Sequence, residues 1–64
     1  MKFKLEFSCD NAAFGETPEE RADEIKRILT VIGARVAMDI LPPGGSVVRD
    51  FNGNRIGRFE FLED

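Results

Sequence analysis

The hydrophobic positions of this chain change period twice. Over residues 2–8 they alternate strictly, with Phe3, Leu5 and Phe7 on one side and Lys2, Lys4, Glu6 and Ser8 on the other. That alternation predicts a strand with one buried and one wet face. Cys9-Asp10-Asn11 ends it, because Asp and Asn side chains bond the nearby backbone in turns. Phe14, in Ala12-Ala13-Phe14-Gly15, is expected to plug the space against the start of a helix. From Ala22 the period becomes helical: Ala22, Ile25, Leu29, Ile32 and Val36 share one face at the i, i+3, i+7, i+10, i+14 spacing. The start of that helix carries several agreeing signals. Thr17 stands at the N-cap, Pro18 at the first helical position and Glu20 at the capping-box position. Glu19, Glu20, Asp23 and Glu24 come early, Lys26, Arg27 and Arg35 later, which complements the helix dipole. These charges read as a solvated face. Gly33 falls on the apolar side, where it is expected to mark a close approach to the sheet, with the helix continuing through Met38; a helix stopping at Ile32 is the alternative.

After Asp39-Ile40-Leu41-Pro42-Pro43-Gly44-Gly45, a connector in which two prolines end the helix, the period returns to two in Ser46-Val47-Val48 and again up to Phe59 and Phe61. Asn52-Gly53 between these runs is a strong hairpin signal, since both residues tolerate φ > 0. Two registers are open. A two-residue turn sets Phe51 opposite Asn54. A three-residue loop, Phe51-Asn52-Gly53, leaves Gly53 left-handed and sets Asp50 opposite Asn54. The second is favoured, because Asp50 can then accept the Asn52 amide in an Asx-turn. It makes Val48 and Ile56 cross-strand neighbours and leaves Phe59 and Phe61 with the opposite parity, which a bulge at Gly57 would correct. Asp50, Asn52, Gly53, Asn54 and Gly57 are therefore structural turn residues.

These elements predict an α+β domain of order β-α-β-β. Its three-stranded antiparallel sheet runs 2-3-1, with the aromatic-bearing last strand central and one helix covering one face. The expected core is Phe3, Leu5, Phe7, Ile25, Leu29, Ile32, Val36, Val48, Phe59 and Phe61. The open face would carry Lys2, Lys4, Glu6, Arg58 and Glu60, whose opposite charges can pair across strands.

Composition narrows function by exclusion. Sixty-four residues make one domain with a thin core, for which association is an expected aid to stability. A single cysteine, Cys9, allows no intrachain disulfide and suits a reducing compartment. The opening MKFKLEF has neither a long apolar run nor a small-residue cleavage site, so no signal peptide is expected; nor does any apolar run approach a membrane span. With no histidine, the common metal sites and catalytic dyads cannot be assembled, so neither metal nor cofactor is expected. Cys9-Asp10-Asn11 is a compact polar cluster but supplies no base, and an enzyme is not expected. The net charge of −3 gives no long-range attraction for phosphate.

Two segments resemble a group of small bacteriophage-encoded proteins of unknown function: the early DNAAF, residues 10–14, and the late RDFNGNRIGRFEF, residues 49–61. The shared closing signature is D-x-NGN-x-x-G-x-aromatic-x-apolar, here Asp50, Asn52, Gly53, Asn54, Gly57, Phe59 and Phe61. The group usually has Trp where this chain has Phe59. The helix is matched in character alone and residues 41–45 are not matched. The resemblance implies a phage or prophage product working in bacterial cytoplasm. It carries over no catalytic or binding residue.

The expectation is thus a small non-enzymatic protein that acts through protein–protein contact, an inhibitor of a host or defence protein being the concrete instance. The candidate surface is Val31, Ala34 and Met38 on the outward helix face, flanked by Ile28 and by Arg27 and Arg35. The same stripe can also be read as scattered surface hydrophobes. A two-fold homodimer is also expected, closed helix against helix through the same stripe; pairing of two first strands is the other route, disfavoured because Lys2 and Lys4 would blunt that edge. Nucleic-acid binding through Arg49, Arg55 and Arg58 is the alternative function, weakened by Asp50 and Glu60 beside them and by aromatics that the core requires.

Overall fold

The computed structural model describes residues 1–38 and 46–63. The connector at 39–45 and the acidic residue at 64 lie outside the described residues. Four regular elements run in the order β1 (Lys2–Phe7), α1 (Pro18–Ala37), β2 (Ser46–Arg49) and β3 (Arg55–Leu62), with a 3-10 turn at Ala12–Phe14 between the first two. The sheet is antiparallel with β3 in the centre, order β1-β3-β2. This is the α+β plan expected from the periodicity. β3 earns the central place because its side chains serve two neighbours: Phe59 lies opposite Leu5 on one flank and Ser46 on the other. On the open face Lys4 lies opposite Glu60 and Glu6 opposite Arg58, so cross-strand charges alternate in sign.

The hairpin adopts the three-residue loop. The Asp50 amide donates to the Asn54 carbonyl (3.0 Å), the Gly53 amide donates back to the Asp50 carbonyl (3.0 Å), and Gly53 is left-handed at φ 85°. One detail differs from expectation. Val48 lies opposite Gly57, not Ile56, and Arg49 opposite Arg55. The extra residue is thus Ile56, one position before the glycine expected to hold the bulge. Gly57 serves another need. A Cβ there would run into the Glu6 carbonyl oxygen and come within 2.6 Å of the Phe7 Cα. The backbones of β1 and β3 meet too closely at that point for any side chain.

The helix begins as expected: Thr17 Oγ1 accepts the Glu20 amide (3.1 Å) with Pro18 in the first turn. The Glu20 carboxylate accepts from the Thr17 hydroxyl, so the capping box closes side chain to side chain. The helix runs through Gly33 to Ala37. Its buried face, however, is rolled from the apolar stripe of the sequence. Glu24, Ile28 and Ile32, spaced i, i+4, i+8, are the buried residues; Ile25 and Val36 are half-buried, and Leu29 is 48% exposed. Ile28, expected at the margin of an outward stripe, is a core residue. Phe14 explains part of the roll. It is fully buried, packs beside Phe7 (ring centroids 6.4 Å) and occupies the space under the helix start. Gly33 makes no close approach to the sheet: nothing lies within 4 Å of a Cβ built there. Phe3 and Phe61, expected in the core, are 46% and 44% exposed, because the helix lies toward β2 and leaves their end of the sheet less covered. The core proper is Phe14, Ile28, Ile32, Val48 and Phe59.

The glycines separate cleanly in a stability measurement. Gly57→Ala should cost about 1–3 kcal/mol or more in urea unfolding, the range for forcing extra volume into a packed site. Gly33→Ala should instead gain up to about 1 kcal/mol, as for an unhindered helix-interior glycine. A neutral Gly57→Ala would contradict the close β1–β3 approach.

Candidate functional site

The polar residues of the chain converge where the 3-10 turn, the first half of α1 and the β2–β3 loop meet. Asp50 is the hub, and it is buried. Its Oδ1 accepts the amides of Asn52 and Asn54, both at 2.9 Å; its Oδ2 accepts the side-chain amides of Asn54 (3.2 Å) and Asn11. Asn11 in turn caps the 3-10 turn, accepting the Ala13 amide at 3.0 Å. The bond between Asn11 and Asp50 joins the DNAAF segment to the Asp50–Asn54 signature across 39 positions of chain. Glu24 is the second buried carboxylate. Its oxygens take a bidentate pair of bonds from Arg27, at 2.6 and 3.1 Å, and Oε2 also accepts the Phe51 amide at 2.7 Å. Among the described residues, no buried side-chain nitrogen or oxygen lacks a hydrogen-bond partner.

These bonds set the ionisation of both acids. The Arg27 bonds, aided by the Phe51 amide, hold the Glu24 carboxyl below its ordinary range against the opposing effect of burial. Burial pushes the Asp50 carboxyl up, but the donors from Asn54, Asn11 and the Asn52 amide outweigh it, and Asp50 too titrates below its ordinary range. Arg27 is held charged more firmly by Glu24.

The arrangement presents one side chain outward. Phe51, tied through its amide to Glu24, is 74% exposed at the tip of the loop. Beside it runs a groove of about 550 Å³ between α1 and the hairpin, lined by Arg27, Val31, Arg35, Val47, Arg49 and Phe51 among others. Arg35 reaches across to β2, where it donates to the Ser46 hydroxyl and to the Val47 carbonyl (3.3 Å), and its guanidinium lies 5.4 Å from the Phe59 ring centroid. Arg49 donates to the Gly53 carbonyl at 3.1 Å. Both of these arginines bond neutral oxygens, whereas Arg27 is paired with Glu24 and the one carboxylate of the groove lining, Asp50, is taken up by amide donors.

The predicted surface residues are only partly brought together. Arg27, Val31 and Arg35 line this groove; Ala34 and Met38 are exposed on the same helix outside the groove lining. Asp50, Asn52, Gly53 and Asn54 are the turn residues expected of them, and Gly57 lies at the β1–β3 approach. Phe51 was the residue least visible in the pattern, because a phenylalanine in a hairpin loop reads as a neighbour of the core. Asn11 and Glu24 were masked as a turn former and a solvated helix acid. The signal for Glu24 was its place four residues before Ile28. Of the arginines considered for nucleic acid, Arg49 and Arg55 are cross-strand partners, while Arg58 lies among Glu6 and Glu60 on the open face and donates to Glu60 at 3.2 Å. Phe3 packs against both Phe59 and Phe61 on the other face. Cys9 is half-buried against the core. Among the described residues, no three acidic, cysteine or histidine side chains are grouped to hold a metal ion, and no helix is long and apolar enough to cross a membrane.

Acid should loosen this site in a defined direction. A carboxyl whose folded pKa is depressed stabilises the fold fully above its unfolded pKa, about 4, and loses that contribution as pH falls through the lower folded value. Urea midpoints should therefore be level near neutrality and fall in acid. In Glu24→Gln the midpoint should be lower at neutral pH and fall less steeply in acid. An acid dependence unchanged by this substitution would remove Glu24 from the account.

Scanned against protein-family models, the chain matches none, and searches of curated proteins and of solved structures likewise found no match.

Proposed function

We propose that this protein is a small non-enzymatic interaction module whose binding face is Phe51 and the arginine-lined groove beside it. One observation carries the reading: two buried carboxylates, Glu24 and Asp50, are used to hold a surface loop whose first residue, the aromatic Phe51, is left exposed. A buried charge needs compensation in hydrogen bonds, and here the compensated charges order a loop outside the hydrophobic core. A loop whose backbone is already ordered loses less entropy on binding, and exposed aromatics commonly anchor interfaces. Arg35 and Arg49, bonded to neutral oxygens, favour a partner segment that brings carboxylates alongside an apolar group. Val31 supplies apolar surface within the groove, while Ala34 and Met38 are exposed on α1 outside it.

The resemblance of the DNAAF and D-x-NGN segments to small phage-encoded proteins supplies a context for this activity. It supports action in bacterial cytoplasm on a host or phage protein, and inhibition of a host or defence protein is the concrete instance. No cofactor enters this mechanism: the product of binding is occlusion of the partner's surface.

Phe51→Ala is the direct test. The side chain is mostly exposed, so the substitution should change stability by no more than about 0.5 kcal/mol, as for ordinary surface positions. Tagged wild-type protein should capture a specific protein from bacterial lysate at near-physiological salt, and Phe51→Ala and Arg49→Glu should each lose it. Equal capture by all three would exclude this face.

A further inference from the structure

The two free edges of the sheet are not alike. The β2 edge is short and covered: Arg35 lies along it, bonding the Ser46 hydroxyl and the outward Val47 carbonyl, and a bulge distorts its end. These are the usual means of protecting an edge from pairing. The β1 edge is six residues long, regular in register against β3 and, among the described residues, flanked by no other strand.

The direction of its backbone groups can be fixed. The Ser8 amide donates to the Ile56 carbonyl at 3.0 Å, next to the Phe7–Gly57 pair. In an antiparallel ladder this makes Phe7–Gly57 a pair without mutual hydrogen bonds. Lys2, Lys4, Glu6 and Ser8 therefore turn their amides and carbonyls toward β3. Phe3, Leu5 and Phe7 turn theirs to the free edge.

We propose that this edge pairs with the β1 of a second copy, about a two-fold axis at Leu5, to form a six-stranded sheet. The registers open to a self-pairing strand differ in charge. Centred on Lys4, the pairing sets Lys4 against Lys4 of the other copy; centred on Phe3 it sets Lys2 against Lys4; centred on Glu6 it sets Glu6 against Glu6. Centred on Leu5 it sets Lys4 against Glu6 and Glu6 against Lys4, with Phe3 opposite Phe7 and Lys2 opposite Ser8. Leu5, Phe3 and Phe7 then form the hydrogen-bonded pairs, which their outward backbone groups allow. Lys4 and Glu6 fall in the closer non-hydrogen-bonded pairs, where opposite charges interact best. Across the joined sheet the row reads Glu60, Lys4, then Glu6 and Arg58 of the second copy, with the sign alternating at every step. The lysines that would blunt this edge in isolation are thereby matched.

The same operation accounts for the apolar surface left by the rolled helix. A groove of about 390 Å³ on the β1 side of α1 is lined by Phe3, Leu29, Gly33, Val36 and Phe61 among others. A two-fold axis perpendicular to the sheet keeps both helices on one face and brings the two grooves together. The helical stripe that reads as core in the sequence, with Leu29 at its middle, becomes buried in the dimer. The Phe51 faces lie beside β2, away from this edge, so the dimer would present two of them; the dimer does not rest on the function proposed for Phe51.

The test uses charge exchange. Wild-type protein should be dimeric in analytical ultracentrifugation at high micromolar concentration. Lys4→Glu and Glu6→Lys should each be monomeric at that concentration, with helical circular dichroism retained, because each sets like charges together at both symmetric pairs. Mixed in equal amounts, the two variants should form a heterodimer, since both position 4–position 6 pairs across the two-fold are then of opposite sign. Leu29→Glu, on an exposed helix position, should also be monomeric and checks the groove independently of the strand. A wild type that stays monomeric to millimolar concentration overturns the proposal. So does a mixture that fails to associate when both variants are folded, or a dimer that survives Leu29→Glu and is broken by Val31→Glu.

Discussion

The carboxylate of Asp50 is the constraint on which the rest of this small structure depends. Two main-chain amides and two side-chain amides converge on its two oxygens. Those from Asn52 and Asn54 close the loop and set the register of β2 on β3. The one from Asn11 is non-local and carries the chain that follows β1 to the hairpin. That position brings Phe14 beneath the helix start, where its ring fills the core with Ile28. A domain of this length has little apolar surface to bury, so a satisfied polar hub contributes to a unique packing as well as to stability. Asn would be a poor substitute for Asp50: its amide group would face donors where the carboxylate has only acceptors.

Glu24 transfers the same constraint to the helix. By accepting the Phe51 amide it turns its own face of α1 toward the hairpin, so that the stripe 24/28/32 is buried and the stripe through Leu29 is shifted toward the margin. The roll has two consequences on opposite sides of the helix. On the β2 side, Arg35 lies over the Phe59 ring and along the strand edge, closing it. On the β1 side, Phe3, Leu29 and Phe61 are left partly uncovered beside a regular strand. One buried acid thus couples the exposed aromatic at the loop to the unequal protection of the two sheet edges.

The plan of the fold was legible in the sequence for local reasons. Strict alternation over β1, the Thr17-Pro18 helix start, and Asp50 with Asn52-Gly53 are each decided by a few neighbouring residues, and all appear as expected. The order β1-β3-β2 followed from the one strand rich enough in aromatics to be buried between two others. The three-residue loop was legible because the Asx-turn of Asp50 is a contact between residues two apart. The candidate site was less so. Arg27, Val31 and Arg35 were singled out and do line a groove, but for a stripe on the far side of the helix. Phe51, the centre of the proposed face, carried no periodic signal.

What the sequence by itself determined, then, was element type, chain direction and the turn. What the tertiary structure decided was the rotation of α1 about its own axis, the placement of the bulge at Ile56, and which aromatics were buried. The reason is physical. A helical stripe of Ala22, Ile25, Leu29, Ile32 and Val36 and one of Glu24, Ile28 and Ile32 differ by less than a third of a turn, and hydrophobicity alone favours the first. The choice of the second rests on hydrogen bonds from Arg27 and the Phe51 amide to a carboxylate, and on a phenylalanine that arrives from a loop ten residues upstream of that acid. Those partners are brought together only by the folded chain, so the periodicity of the helix could not report them.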